Sequence, residues 1–301
     1  MIGPSHAGHT HRIANTVVGH IPVAEGVNAG GSYSVAQLMV RDGDVAWVSP
    51  ATRVAKNLGV APRADVQAIV NQANADTAVL RNQVIGTQAF DILRDPARLH
   101  ESAMGNMVAD AMRGFYPGVE AAITNSGGLR QDLRGTPPSS GGEAVNEITW
   151  GEAFAVLPFG NRTVIETITG QQLMDAVLNG LQPTCNPVFA GGTGRSPQVS
   201  GIKITYTCST LPPGPGSTPI VTGLWKSPEG PAGPLTPIGP TDTIRIVTND
   251  FMYFGGGDGY TALGGGTDVL QPGDALLDLV IEYISANSPV APVVDGRIVG
   301  P

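Results

Sequence analysis

The chain has 301 residues and carries 17 Lys and Arg against 25 Asp and Glu, a formal charge of −8. That balance excludes a general nucleic-acid binder, which needs a basic face to neutralise phosphates, although a local group of Arg can still hold one phosphate. Hydrophobic residues make up 41% and charged residues 14%, enough for a core and against global disorder, while 41 Gly and 25 Pro predict many turns and long loops.

In chain order, Asn15–Gly19 and Ile21–Ala24 read as short apolar strands. Ser34–Arg41 is a strand run, Asp42-Gly43-Asp44 a hairpin turn, and Val45–Val48 the returning strand. Ala64–Arg81 carries Val66, Ile69, Val70, Ala73, Ala78 and Leu80 with no Gly or Pro, which predicts a helix of about five turns. Gln83–Ile92 reads as a strand. Leu99–Gly114 reads as a helix with Met104, Met107, Val108 and Met112 on one face. Ala121–Thr124 is a short buried strand, and Gly135–Gly142 a flexible loop. Thr149 with Glu152 three residues on marks a capping box for a helix through Leu157. Thr163–Ile168 is a strand, and Thr169 caps a helix over Gly170–Leu181. Pro183–Pro197 reads as loop, Gly201–Cys208 as an alternating strand, and Leu211–Pro240 as the least structured part. Thr243–Thr248 is a strand, Asn249–Tyr260 a loop, and Ala275–Ser288 the last helix. Strands and helices mix without a strict repeat, which predicts an α+β fold.

No uninterrupted apolar run reaches about 18 residues, so no transmembrane helix is expected. No basic segment followed by an apolar one opens the chain, so no signal peptide is read, and the chain reads as starting inside a longer protein. Cys185 and Cys208 are either a disulfide or two unrelated thiols. Without two more ligands nearby they do not make a zinc site.

Four segments can carry chemistry. In Gly8-His9-Thr10-His11, two imidazoles at i and i+2 can face one metal, and neutral imidazole suits Zn, Mn or Fe. Near a chain start, with His6 and His20 close by, they also read as solvated side chains. In Asn125-Ser126-Gly127-Gly128-Leu129-Arg130, a Gly pair lets backbone approach a ligand and Arg130 can grip an anion bidentately; the plainer reading is a tight turn with an exposed Arg. In Pro158-Phe159-Gly160-Asn161, the aromatic is either a stacking platform for a base or a core Phe closing a turn. Asn249-Asp250-Phe251 followed by Gly255–Tyr260 exposes backbone, and Asp258 can accept from ribose hydroxyls. With no Lys-Ser/Thr ending it is not a phosphate-cradling P-loop.

The order of these motifs resembles the 5'-nucleotidase family: GHTH, then Arg98, Glu101, Met104–Asn106 and Asp110–Met112, then NSGGLR, LPFGN and NDF with GGGDGY, over about residues 8–300. The resemblance implies an N-terminal metallophosphatase domain with two divalent metals (Zn, Mn or similar), a long helix, and a C-terminal domain that binds the nucleoside. It implies that Phe159 and Phe251 sandwich the base, that Asn125 and Gly127 lie at or near the base, that Asp258 holds ribose hydroxyls, and that Arg98 and Arg130 grip the phosphate. His9 and His11 would be metal ligands. The family places its second Phe six residues before the Asp of GGDG, where this chain has Met252; Phe251 is seven before, so this loop carries an extra residue. The Asp-x-His and GNHE-type motifs that complete the family's metal sites are not in this sequence.

The expected organisation is therefore residues 1–60 as the end of a metallophosphatase β-sandwich with an exposed apolar edge, 61–82 as the connecting helix, and 83–301 as the substrate-binding domain. The expected ligand is a nucleoside monophosphate or related phosphate ester, with no catalytic residue in this chain, which is expected to be inactive by itself. A non-catalytic nucleotide-binding module, or a hydrolase of 2',3'-cyclic nucleotides or nucleotide sugars, are the alternatives. The family's secreted, periplasmic or surface location is implied for the parent, and a Cys185–Cys208 disulfide would agree with it.

Overall fold

The computed structural model describes residues 5–6, 13–19, 21–28, 30–56, 59–135, 143–189, 193–271 and 273–301. The chain divides into two units, Met1–Ala73 and Asn74–Pro301. In the first, β1 (Ser5–His6), β2 (Ala14–Val18) and β3 (Ile21–Glu25) form a sheet in the order β1-β3-β2, and β4 (Ser32–Arg41) and β5 (Asp44–Val54) form a hairpin. Asp42 and Gly43 turn this hairpin with positive φ, the conformation that an Asp-Gly dipeptide favours. Val18, Met39, Val40 and Val54 are exposed in this unit. The unit boundary falls inside α1 (Ala64–Arg81), which has the predicted limits and no buried residue.

The second unit runs β6 (Val84–Thr87), α2 (Ala103–Phe115), β7 (Ala121–Asn125), β8 (Glu147–Thr149), α3 (Trp150–Val156), β9 (Thr163–Thr169), α4 (Gly170–Cys185), β10 (Pro197–Ser200), β11 (Ile202–Cys208), β12 (Pro219–Lys226), β13 (Thr236–Pro237), β14 (Thr243–Asn249), α5 (Asp250–Tyr253), β15 (Thr267–Leu270), α6 (Leu276–Asn287) and β16 (Ile298–Val299). It is the mixed α+β fold that the sequence predicts. A five-stranded sheet, β10-β7-β14-β9-β15, lies at its centre. The period-2 alternation of its strands feeds two cores. Ala122, Ile165 and Val247 pack with Met104, Met107 and Met112 of α2 and with Val280 and Ile284 of α6. Ala121, Ile123, Ile168 and Ile246 pack with Leu173, Val177 and Leu181 of α4 and with Ile204 of β11. Because both faces are covered, all five residues of β7 are buried. A second sheet, β13-β12-β11-β16, adds to the α4 side.

The capping box at Thr149–Glu152 forms as read, and the Thr169 cap forms too, with Gln172 completing a second capping box that the sequence reading does not include. Cys185 and Cys208 form a disulfide that ties the end of α4 to β11. Closing a loop of this length restricts the unfolded chain by about 3 kcal/mol.

Five expectations are corrected. The strand from Gln83 ends at Thr87, because the chain changes partners: the amide of Gln88 turns to Asn146, that of Ala89 to Val290, and Ile92 exchanges bonds with Leu133. Helix α2 begins after Ser102, not at Leu99. The Asp95 carboxylate takes the Leu99 and His100 amides, and the Ser102 hydroxyl caps Gly105. Helix α4 runs past Leu181 to Cys185 through Pro183, since Leu181, Pro183 and Cys185 are all buried; β10, which begins at Pro197 where the expected loop ends, is a strand that the sequence reading does not include. Leu211–Pro240 contains the eight-residue strand β12, paired along β11; Gly223 and the surrounding Pro hide it in the sequence. The Asn249–Tyr260 loop opens with the helical turn α5, capped by the Asn249 side chain on the Met252 amide. The Gly135–Gly142 loop lies almost wholly outside the described residues.

Candidate functional site

Strand direction gathers the motifs. β7 and β14 are parallel, so they finish side by side, at Asn125 and Asn249. β9 and β10 are antiparallel to these neighbours, and they begin at the same end, with Thr163 opposite Asn249 and Pro197 opposite Asn125. The segments entering and leaving those strands therefore share one end of the sheet: Asn125–Arg130, Phe159–Asn161, Gly194–Ser196 and Asn249–Tyr260. The ends of parallel strands are where α/β sheets commonly bind ligands.

Backbone bonds knit the segments. The Ser126 amide donates to Ser196 O at 2.9 Å and the Gly127 amide to Gly194 O at 2.6 Å. A Cβ at Gly127 would lie 2.9 Å from the Gly194 carbonyl oxygen, so only glycine allows this approach. The Arg98 carbonyl accepts from Ser126 Oγ at 3.1 Å and from the Gly194 amide at 3.4 Å, which brings the Arg98 loop to the same place. Side chains complete the frame. Asn249 Nδ2 donates to Thr124 Oγ1 at 3.0 Å and Asn125 Oδ1 at 3.2 Å. Asn125 Nδ2 donates to Asp258 Oδ2 at 2.8 Å. Asn161 Nδ2 donates to Asp250 Oδ1 at 2.7 Å.

That last bond joins the two aromatic segments. Phe159, two residues before Asn161, is 61% exposed, and Phe251, next to Asp250, is 46% exposed. Met252 is fully buried, so of the two neighbours Phe251 is the one that faces outward. The backbone of Gly257 lies against the Phe251 ring. Phe254 is 58% exposed, edge-on to Tyr253. Phe159 lines a narrow cleft with Thr124, Gly128, Leu157, Asn161 and Asn249.

The electrostatics divide the site. The Arg130 guanidinium lies over the Phe159 ring, 5.4 Å from its centroid, and donates to the Gly127 carbonyl at 3.3 Å. Burial lowers the Arg98 pKa, and the like charges of Arg130 and Arg94 lower it further. Arg94 pairs with Asp132; Arg98 and Arg130 have no carboxylate partner among the described residues. Asp258 is pushed upward by burial and pulled back by the Asn125 bond and the Arg195 charge.

Of the predicted site residues, Arg98, Asn125, Gly127, Arg130, Phe159, Phe251 and Asp258 come together at this end of the sheet. His9 and His11 lie outside the described residues. Among the described residues no three His, Cys, Asp or Glu side chains converge as a metal requires. The other motif residues are structural. The Glu101 carboxylate accepts from Asn106 Nδ2 and from the amides of Asp295, Gly296 and Ile298, and Asp110 holds Arg297 bidentately. Sequence reasoning did not single out Asn179 or Arg195; the only signal was the Gly-rich run that leads into β10.

The family model described as 5'-nucleotidase, C-terminal domain, matches residues 77–265. The cell wall protein Lmo0130 of Listeria monocytogenes is 31% identical over 269 residues, which is 85% of this chain and 32% of that protein. The trifunctional nucleotide phosphoesterase protein YfkN of Bacillus subtilis is 32% identical over 225 residues, 73% of this chain and 14% of that protein. In fold, the chain is similar to the crystal structure of a 5'-nucleotidase precursor from Thermus thermophilus, with a TM-score of 0.67 at 22% identity over 93% of this chain and 52% of that one. The chain thus spans a third or less of these two relatives, and about half of the solved chain.

Proposed function

The chain belongs to the 5'-nucleotidase C-terminal domain family, and from that premise we propose that it is the nucleotide-recognition part of a phosphoesterase acting on nucleoside monophosphates. Phe159 and Phe251 hold the base between them. Asn125 and Gly127 border the base, Asp258 accepts from the ribose hydroxyls, and Arg98 and Arg130 hold the phosphate. Stacking suits any base, because every base has a π-face, so base selectivity is loose. Two guanidinium forks suit a phosphate dianion.

The observation that carries this reading is the convergence at one sheet end of two exposed aromatics, an acceptor carboxylate and two cations without counter-ions among the described residues. In the wider protein, residues 1–60 close the metallophosphatase domain, 61–82 connect, and 83–301 bind the nucleoside. The product is nucleoside plus phosphate. Among the described residues no group of three His, Cys, Asp or Glu gathers as a metal site requires, and the role we assign to this chain is recognition of the nucleotide. A surface or secreted location is supported by the relative named as a cell wall protein; no helix among the described residues is long and apolar enough to cross a membrane.

Titration calorimetry of Phe159→Ala with adenosine tests the stacking role. The expected loss is about 1–3 kcal/mol, the worth of one base–aromatic contact. Affinity equal to that of the unmodified chain would remove Phe159 from the site.

A further inference from the structure

Asp258 stands in the left-handed region, at φ 57°, where a side chain other than Gly is uncommon and needs support from its surroundings. The support is a closed ring of contacts. Asn179 Nδ2, on α4, donates to the Asp258 carbonyl at 2.9 Å. Asn179 Oδ1 accepts from Arg195 Nη1 at 3.0 Å. The Arg195 carbonyl accepts from the buried Tyr260 hydroxyl at 2.5 Å, which returns the ring to the Asp258 loop. Gly259 sits inside it: a Cβ there would lie 2.6 Å from Asn179 Oδ1 and 2.7 Å from Arg195 Nη1. The Arg195 guanidinium also lies over the Phe189 ring, 4.9 Å from its centroid, which adds a second hold on the side chain.

We propose that Arg195, acting through Asn179, is a positioning residue that sets both the direction and the charge of the Asp258 carboxylate. The inference rests on the reading of Asp258 as the acceptor for sugar hydroxyls. One carboxylate oxygen is taken by Asn125, and the brace leaves the other to face the ligand. The charged and titratable groups that face Asp258 are Arg195, from the segment before β10, and Tyr260, on its own loop; Asn125 and Asn179 are neutral. Arg195 is therefore the one cation opposing the burial of this carboxylate among the described residues. Only the ionised form offers acceptors at both oxygens.

The test follows the Asp258 carboxyl carbon by NMR from acid to neutral pH in the full chain, beside calorimetry with adenosine. Arg195→Met is expected to raise the Asp258 midpoint by about one pH unit, the low end of what a neighbouring opposite charge supplies, and to weaken adenosine about tenfold. Arg195→Lys restores the midpoint. A purely structural Arg195 would leave the midpoint of Arg195→Met at the wild-type value, and that result would overturn the proposal. If Arg195→Met does not fold, Asn179→Ala breaks the ring and keeps the charge. It is expected to move the amide resonances of Gly257–Tyr260 and weaken adenosine, and unchanged resonances would overturn the proposal. An unmodified chain that binds no adenosine, while its Asp258 midpoint still follows Arg195, would overturn the sugar-binding reading and leave the brace standing.

Discussion

Arg98 and Arg130 bring two positive charges into mutual reach, and no described carboxylate separates them. Repulsion of this kind is stable only where the fold imposes it, and an incoming anion relieves it. The two residues are held differently. Arg130 is steadied by the Phe159 face and the Gly127 carbonyl. Arg98 is anchored through its main-chain carbonyl, which Ser126 and Gly194 grip, while no hydrogen bond among the described residues uses its guanidinium. Arg98→Met keeps that carbonyl and loses only the charge. It is expected to leave thermal stability nearly unchanged, to leave adenosine affinity unchanged, and to lower AMP affinity tenfold or more, as losing charge-assisted hydrogen bonds of about 1.5–3 kcal/mol implies. Equal losses for AMP and adenosine in calorimetry would show that Arg98 does not touch the phosphate.

Among the elements, β9 carries a group whose cost depends on pH. Glu166 is fully buried, and neither carboxylate oxygen meets a hydrogen-bond partner in normal geometry. Burial pushes its pKa up to about 7 from 4.5, which the nearby Gly266 amide and the Arg245 charge only partly offset. The folded state therefore holds this proton at pH values where the unfolded chain has released it. Stability then falls as pH rises from about 4.5 to about 7, by on the order of 3 kcal/mol. Glu166→Gln removes that slope: urea midpoints of variant and parent should agree near pH 4.5 and separate by pH 8, with the variant more stable. Parallel midpoints across the range would place the Glu166 carboxyl in contact with water. Local signals made most of the helices and several central strands legible in the sequence: a periodic run for α1, a capping box for α3 and an N-cap Thr for α4, apolar runs for β7 and β14. β12 and the last turn of α4 were not legible. Both contain Gly or Pro that local rules read as breaks, and both persist because burial and long-range pairing outweigh the local preference. At the site the same division holds. The order of the motifs pointed to Arg98, Asn125, Gly127, Arg130, Phe159, Phe251 and Asp258. Asn179 and Arg195 act only through contacts made across long sequence separations, for which a single sequence has no signature.

The whole molecule carries a formal charge of −8, so an anionic ligand must find a local exception to the general field. The loops at the end of the β10-β7-β14-β9-β15 sheet supply it, with Arg98, Arg130 and Arg195 drawn from three separate segments. The common direction of β7 and β14, with β9 and β10 opposed, brings the Arg130 and Arg195 segments together, and the Arg98 carbonyl, held by Ser126 and Gly194, brings in the third. The central claim is that this end of the fold recognises a nucleoside and its phosphate without help from a metal. Its most direct test is titration calorimetry of the chain with AMP and with adenosine in the presence of a chelator. Both ligands are expected to bind, with AMP about tenfold or more tighter, the difference residing in Arg98 and Arg130. Equal affinity for the two would contradict the phosphate seat, and failure of both to bind would contradict the site.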